Sequence, residues 1–364
     1  MAKLTKGEAE SYIENLKTFP VEEVGSHQWI DQVICIERLN VSAHLEASGN
    51  QFEQVVDSIK TLDKFEVLVH ELIIGDEFQR LALPKIKEKS PQQAFARIYM
   101  TEHAIIALLN LLELVVYKPE DLSADGLLPL VDFCNRHIAV LTTTDISVID
   151  LQQPDPKQME ILSVGFSCLS IIWCLLACEP TQLSVVKRLV ADVDVGPTIA
   201  ELIVKQPWRT VKKGKVIKWF NGELKTLSAG ESQRICPPEA HAWTSLQQLM
   251  NPRCLEQTRW NEARKAAFLE VDEMLSEVLI DQIPPLEALK RSLQWLKVNE
   301  IPPPKFVPII EQINPIEQEL EKKVDWPKLI ENSLKKYYNA PPQVMQAELM
   351  KIAEFFEIFG ETGA

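Results

Sequence analysis

The sequence predicts an all-α protein that is interrupted once, near its middle, by a small β-hairpin. Apolar residues recur at the i, i+3, i+4 spacing of one helix face through most of the 364 residues. Proline and glycine fall in short gaps between these apolar runs, where helices have to stop. The exception is the segment 207–228, which is basic, rich in strand-forming residues and contains Asn221-Gly222, the strongest short signal for a hairpin.

The N-terminal array covers residues 1–206 and is predicted to consist of successive amphipathic helices. Thr5 and Glu8 form a capping box before the first helix, and Ser26 is the predicted N-cap of a long second helix. Short connections between helices of this length favour antiparallel neighbours. We therefore expect a superhelical array of helix pairs, a solenoid of the armadillo or HEAT type. The later apolar runs, separated by proline or glycine, are 64–74, 92–116, 127–141, 159–178 and 183–191.

Residues 207–233 are predicted to form a basic β-hairpin inserted between the helices. One strand face carries Ile217, Trp219 and Leu224 and is expected to pack on the helices. The other face carries Lys218 and Lys225 directly opposite each other, an arrangement in which the two charges repel. The predicted cross-strand pairs are Phe220 with Glu223, Trp219 with Leu224, Lys218 with Lys225 and Ile217 with Thr226.

The basic charge of this segment suggests a contact surface. Between Lys205 and Lys225 the chain has seven Lys or Arg and one acidic residue, whereas the net charge of the whole chain is −14. Two interpretations stay open: the lysine face is simply solvated, or it docks an acidic segment of this protein or of a partner. The candidate contact residues are Trp208, Lys212, Lys213, Lys215, Lys218 and Lys225.

After the hairpin, helical periodicity resumes in residues 234–364, a predicted C-terminal array that continues the first. Trp260, Ala263 and Ala267 begin one apolar stripe. Proline is frequent between residues 284 and 315, which predicts short helices there.

Composition and motifs exclude several classes of function. The net charge of −14 argues against a nucleic-acid binder, because such domains usually carry a basic excess. The seven cysteines are irregularly spaced among apolar neighbours, as reduced cysteines of cytosolic proteins are. His70-Glu71 begins like a zinc-protease motif, but Ile74 stands where the second histidine is needed. We therefore expect neither an enzyme nor a bound cofactor, and an active site assembled only by folding stays open as an alternative.

A second alternative is a membrane-associated adaptor that uses residues 161–178 as a span or anchor. This run contains 18 uncharged residues, which is the lower edge of what crosses a bilayer. Ser163, Gly165, Ser167 and Ser170 dilute it, and no basic cluster flanks it. The sequence therefore favours the buried central helix of a soluble protein.

Several collinear segments, which run from about Gly7 to beyond Trp326 and involve no catalytic motif, carry a resemblance to known proteins. These segments include "GEAESYIENLKTFPVEEVGSHQWIDQ", "IERLNVSAHLEA", "VLVHELIIGDEF", "IIALLNLLELVVY", "LVDFCNRHI", "PWRTVKKGK", "AWTSLQQLM" and "LIDQIPPLEALKRSL". Together they resemble one family, that of the MYND-type zinc-finger proteins that act in axonemal dynein arm assembly.

The resemblance implies a non-catalytic, cytoplasmic assembly factor, located also near the centrosome or basal body. The partners that it implies are axonemal dynein intermediate and heavy chains, heat-shock chaperones, an immunophilin and a leucine-rich-repeat assembly factor, with no nucleic acid. Members of the family carry a C-terminal zinc finger of spaced cysteines and histidines, and this sequence ends in "FFEIFGETGA" without that pattern. Truncation and divergence would both explain the difference, and no zinc is expected in this chain.

Overall fold

The predicted fold class, all-α with one small inserted β-element, is confirmed in the computed structural model of the chain. Two compact units are formed, one by Met1–Val115 with Gln312–Ala364 and the other by Val116–Glu311. The described residues are 3–49, 53–151, 153–178, 181–258, 260–299, 316–339, 341, 343–346 and 350.

The first unit begins with six helices, and the first two of them start at the predicted caps. Thr5 and Glu8 form both bonds of the capping box, and the Ser26 hydroxyl accepts a hydrogen bond from the Trp29 N–H at 3.2 Å. The helices are α1 Lys6–Glu14, α2 His27–Ser48, α3 Gln54–Thr61, α4 Phe65–Leu81, α5 Leu83–Lys89 and α6 Phe95–Val116.

The second unit consists of helices and the sheet. Its first helices are α7 Ala124–Thr142, α8 Pro156–Ala177, α9 Leu183–Lys187 and α10 Val195–Lys205, with a π-helical turn at Arg188–Asp192. The strands β1 Arg209–Lys212, β2 Lys215–Phe220 and β3 Glu223–Thr226 follow. The remaining helices are α11 Pro237–Leu249, α12 Pro252–Leu255, α13 Glu262–Asp272, α14 Glu277–Gln282 and α15 Leu286–Val298.

Helix α8 is the central helix of the second unit. It packs against α7 and α11, which explains why its sequence is apolar on nearly every side. Gly165 allows a close approach, because a β-carbon at this position would lie 2.5 Å from Leu141 Cγ of α7. Two helices in the described part of the chain, Gln92–Val116 and Pro156–Ala177, are long and apolar enough to cross a membrane, and both are more than half buried. Its packing makes α8 a core helix of this fold.

The chain then returns to the first unit through α16 Ile316–Lys323 and α17 Trp326–Ser333. Tyr338, in the π-helical turn after α17, is completely buried and its hydroxyl lies 3.2 Å from Thr101 Oγ1 of α6. Gly25 has φ 82° and lies against the Tyr338 ring, where a side chain would collide with the phenol. Residues 316–339 are therefore part of the core that the N-terminal helices form.

The observed units differ from the sequence-based division at residues 206 and 234. The hairpin at 207–233 lies inside the second unit, and helices of the predicted C-terminal array are shared between both units. Residues 300–315 and 351–364 of that array lie outside the described residues.

The sheet is a three-stranded antiparallel meander in the order β1-β2-β3. The predicted register between β2 and β3 is confirmed for all four pairs, from Phe220 with Glu223 to Ile217 with Thr226. Strand β1 was not predicted. It pairs with β2 across a second two-residue loop, Lys213-Gly214, in which both residues have positive φ.

Candidate protein-docking surface

The apolar face of the sheet is attached to the helices as predicted. Ile217 and Trp219 are buried, and the Trp219 ring lies 5.2 Å from the ring of Phe166 on α8. Trp208, just before β1, is also buried, and its carbonyl accepts a hydrogen bond from the Trp219 N–H at 3.0 Å. The sheet is therefore fixed to the centre of the second unit.

Lys218 lies on the other face, but it is only 3% exposed. Its ammonium group donates to Glu239 Oε2 at 2.7 Å and to the Arg234 carbonyl at 2.9 Å. Glu239 belongs to the first turn of α11 and also accepts from the Cys236 N–H at 3.4 Å. Lys218 therefore docks an acidic group of this chain, which is one of the interpretations that the sequence left open, and its ammonium group is not available to a partner.

Three cations form a row across the sheet on this second face. The registers place Arg209 opposite Lys218 and Lys218 opposite Lys225. Like charges in adjacent strands repel, so each needs compensation. Glu239 compensates Lys218, and Glu223 lies 2.8 Å from Lys225 on the same strand. Arg209 and Lys225 remain exposed at the two ends of the row.

The first hairpin loop concentrates lysines at one end of the sheet. Lys213 and Lys215 are exposed, and half-buried Lys212 donates from Nζ to the Ile149 carbonyl. We call Lys212, Lys213 and Lys215 the lysine turn. Hydrogen bonds from Ser147 lower the pKa of nearby Asp145, and the charge of Lys212 lowers it further. The lowered pKa favours the charged form of Asp145.

Exposed apolar side chains lie beside the lysine turn. Val211 of β1 is 52% exposed, and Val148 is 67% exposed in the 3-10 turn Ile146–Val148 that packs against β1. Apolar groups surrounded by charges are typical of contact surfaces for other proteins.

Cys236, which lies beside Glu239, is not suited to nucleophilic chemistry. Burial, together with the adjacent Glu239 charge, raises the pKa of the Cys236 thiol to about 12, so this cysteine stays protonated. Among the described residues, no group of three or more histidine, cysteine or acidic side chains is placed to hold a metal ion.

The structure divides the six predicted contact residues into two groups. Trp208 and Lys218 are buried and fix the sheet in place. The other four lie at the surface, three of them in the lysine turn and the fourth, Lys225, on β3. Sequence reasoning missed Arg209 and Val211 because it missed β1. The signal for β1 was the Lys-Gly loop flanked by strand-forming residues, which is weaker than Asn-Gly because lysine rarely adopts positive φ.

Comparison with known proteins agrees with the resemblance seen in the sequence. A scan against models of known protein families finds no match, and no solved structure matches the chain. A curated Drosophila melanogaster protein, the zinc finger MYND domain-containing protein 10 homolog, is 29% identical over 333 residues, which cover 86% of this chain and 73% of that protein. The similarity extends along nearly the whole chain, and it supports the resemblance of this chain to the family of zinc finger MYND domain-containing protein 10.

Proposed function

We propose that this chain is a non-catalytic factor for the assembly of axonemal dynein arms and that it acts by binding other proteins. The observation that carries the proposal is the 29% identity over 86% of the chain to the zinc finger MYND domain-containing protein 10 homolog. The proposed partners are dynein intermediate and heavy chains, heat-shock chaperones, an immunophilin and a leucine-rich-repeat assembly factor, met in the cytoplasm.

The surface geometry supports a protein-binding role. The lysine turn and Lys225 present positive charge on a body whose net charge is −14, so an acidic partner segment is attracted to this place and repelled elsewhere. The buried Lys218–Glu239 pair and the Trp219–Phe166 contact hold the sheet against α8 and α11. A rigid surface loses little conformational entropy on binding.

The apolar neighbours add a second requirement for the partner. Val148 and Val211 expose apolar surface, which a purely charged partner segment would not bury favourably. We therefore propose an acidic segment that also carries apolar side chains, and we expect its binding to weaken as salt rises, because exposed charges are screened.

A rescue experiment in ciliated cells tests this function. In cells that lack the endogenous protein, wild-type chain is expected to restore dynein arms in the axoneme, as seen by electron microscopy. The variant Lys213→Glu with Lys215→Glu is expected to restore fewer arms at equal protein level. Lys85→Glu with Lys157→Glu, which changes net charge equally at two exposed lysines outside the hairpin, is the matched control.

Failure of the wild-type chain to restore any arms would contradict the proposed function. Equal rescue by both double variants would be compatible with the proposed function but would show that the lysine turn is not needed for it.

A further inference from the structure

Alternate residues of β3 form hydrogen bonds with β2, and the backbone groups of the residues between them point away from the sheet. In an antiparallel pair closed by a two-residue loop, the residues flanking the loop exchange both hydrogen bonds, and every second pair after them does the same. Glu223 and Lys225 therefore bond to β2. The bond from the Leu227 N–H to the Val216 carbonyl at 2.8 Å confirms this phase. The N–H and C=O groups of Leu224 and Thr226 point away from β2.

This outer edge of β3 is at the surface. Glu223, Lys225 and Thr226 are exposed, and Leu224 is half-buried. Among the described residues, no backbone hydrogen bond from outside the sheet reaches Leu224 or Thr226. Such an edge is a template for another strand. Edge β1 differs, because the 3-10 turn Ile146–Val148 packs against it.

Charge determines which strand the edge accepts. An added strand places its side chains beside Lys225, at the end of the cation row that begins at Arg209. Lysine in an edge strand discourages pairing with apolar segments, since the charge would be desolvated. A carboxylate in the added strand removes this penalty because it pairs with the Lys225 charge. Glu239 already does the same for Lys218, and Glu223 for Lys225.

We propose that β3 binds an extended acidic segment of a partner protein as a fourth strand of the sheet. Main-chain bonds to Leu224 and Thr226 supply affinity, and the contact with Lys225 selects glutamate or aspartate. This inference rests on the proposed protein-binding function and names the mode of binding at the same surface.

The probe is a fluorescent peptide of alternating threonine and glutamate, Thr-Glu-Thr-Glu-Thr-Glu-Thr, titrated with the full chain in fluorescence anisotropy. Thr226→Pro removes one outward N–H without removing a bond between β2 and β3, and Thr226→Val keeps that N–H. We expect Thr226→Pro to weaken binding at least tenfold and Thr226→Val to change it less than threefold. Hydrogen exchange of 221–228 is expected to slow in the wild-type complex.

Two further experiments distinguish the contribution of charge from that of the main-chain hydrogen bonds. A peptide with lysine in place of glutamate, and the variant Lys225→Gln with the original peptide, should each bind at least tenfold more weakly. An acidic peptide methylated on its backbone nitrogens keeps the charge but cannot pair as a strand, and it should lose binding as strongly.

Equal binding of the methylated and unmethylated peptides, or of the wild type and Thr226→Pro, would overturn strand addition while leaving dynein-arm rescue untouched. No binding of the acidic peptide to the wild type would also overturn it. Circular dichroism at matched concentration identifies a proline variant that has lost its fold, in which case Lys225→Gln and the methylated peptide decide.

Discussion

Replacing Lys218 by methionine should detach the sheet from α11. The change removes the ammonium group that donates to Glu239 at 2.7 Å. The carboxylate of Glu239, a residue that is only 8% exposed, then loses the Lys218 cation that compensates its charge. Breaking a buried pair by removing one partner costs about 3–5 kcal/mol. Glu239 keeps the bond from the Cys236 N–H and lies in the first turn of α11, whose dipole favours a negative charge. We therefore expect about 3 kcal/mol, the lower end of the range.

The assay is native-state hydrogen exchange, which measures the free energy of local opening at single amides. A local measurement is needed because a chain with two units does not have a single, well-defined free energy of global unfolding. The opening free energy of the Trp219 amide, which bonds to the Trp208 carbonyl, should fall by about 3 kcal/mol in Lys218→Met. Lys225→Met, the exposed lysine directly opposite, is the matched control and should change it by less than about 0.5 kcal/mol. Equal effects of the two substitutions would refute the reasoning that burial of the pair fixes the sheet.

Three further predictions concern side-chain packing inside each of the two units. His241 has its pKa lowered to about 4 by burial, whereas the unfolded value is 6.5. Its contribution to stability is complete above pH 6.5 and is lost as pH falls towards 4, a change of about 3 kcal/mol at about 1.4 kcal/mol per pH unit. Denaturation across pH 4–7 should show this dependence and His241→Phe should remove most of it; an unchanged slope would contradict it. Gly165→Ala should destabilise the second unit by about 1–3 kcal/mol, because the new methyl group displaces Leu141, and an increase in melting temperature would contradict the close approach of α7 and α8. Gly25→Ala should destabilise the first unit by about 2 kcal/mol or more, since φ 82° is strained for alanine and the methyl group meets Tyr338; proteolysis that is no faster than in the wild type would contradict the docking of that tyrosine.

The sequence predicted most of the local structure because local signals carry it. The Asn221-Gly222 loop determined the register of β2 and β3 to the residue. Thr5, Glu8 and Ser26 marked two helix starts, since a capping side chain acts within its own turn.

Long-range contacts account for what the sequence did not predict. Strand alternation put Lys218 on the face opposite Trp219, but only the folding of residues 234–239 over that face buries it. The return of Tyr338 to the core of the first unit likewise depends on a contact with Thr101 that no periodicity reports. In the apolar run of α8, Gly165 was interpreted as diluting the apolar character, whereas it allows a close approach to Leu141 of α7.

The proposal that this chain binds dynein chains through the lysine turn can be tested by retention of these chains from cytosol. Cytosol of ciliated cells is passed over the immobilised chain, and bound axonemal dynein intermediate and heavy chains are quantified by mass spectrometry. The wild type and the control variant Lys85→Glu with Lys157→Glu are expected to retain these chains, and the variant Lys213→Glu with Lys215→Glu is expected to retain at least tenfold less. Equal retention by all three proteins, or no dynein chain on a folded wild type, would contradict it.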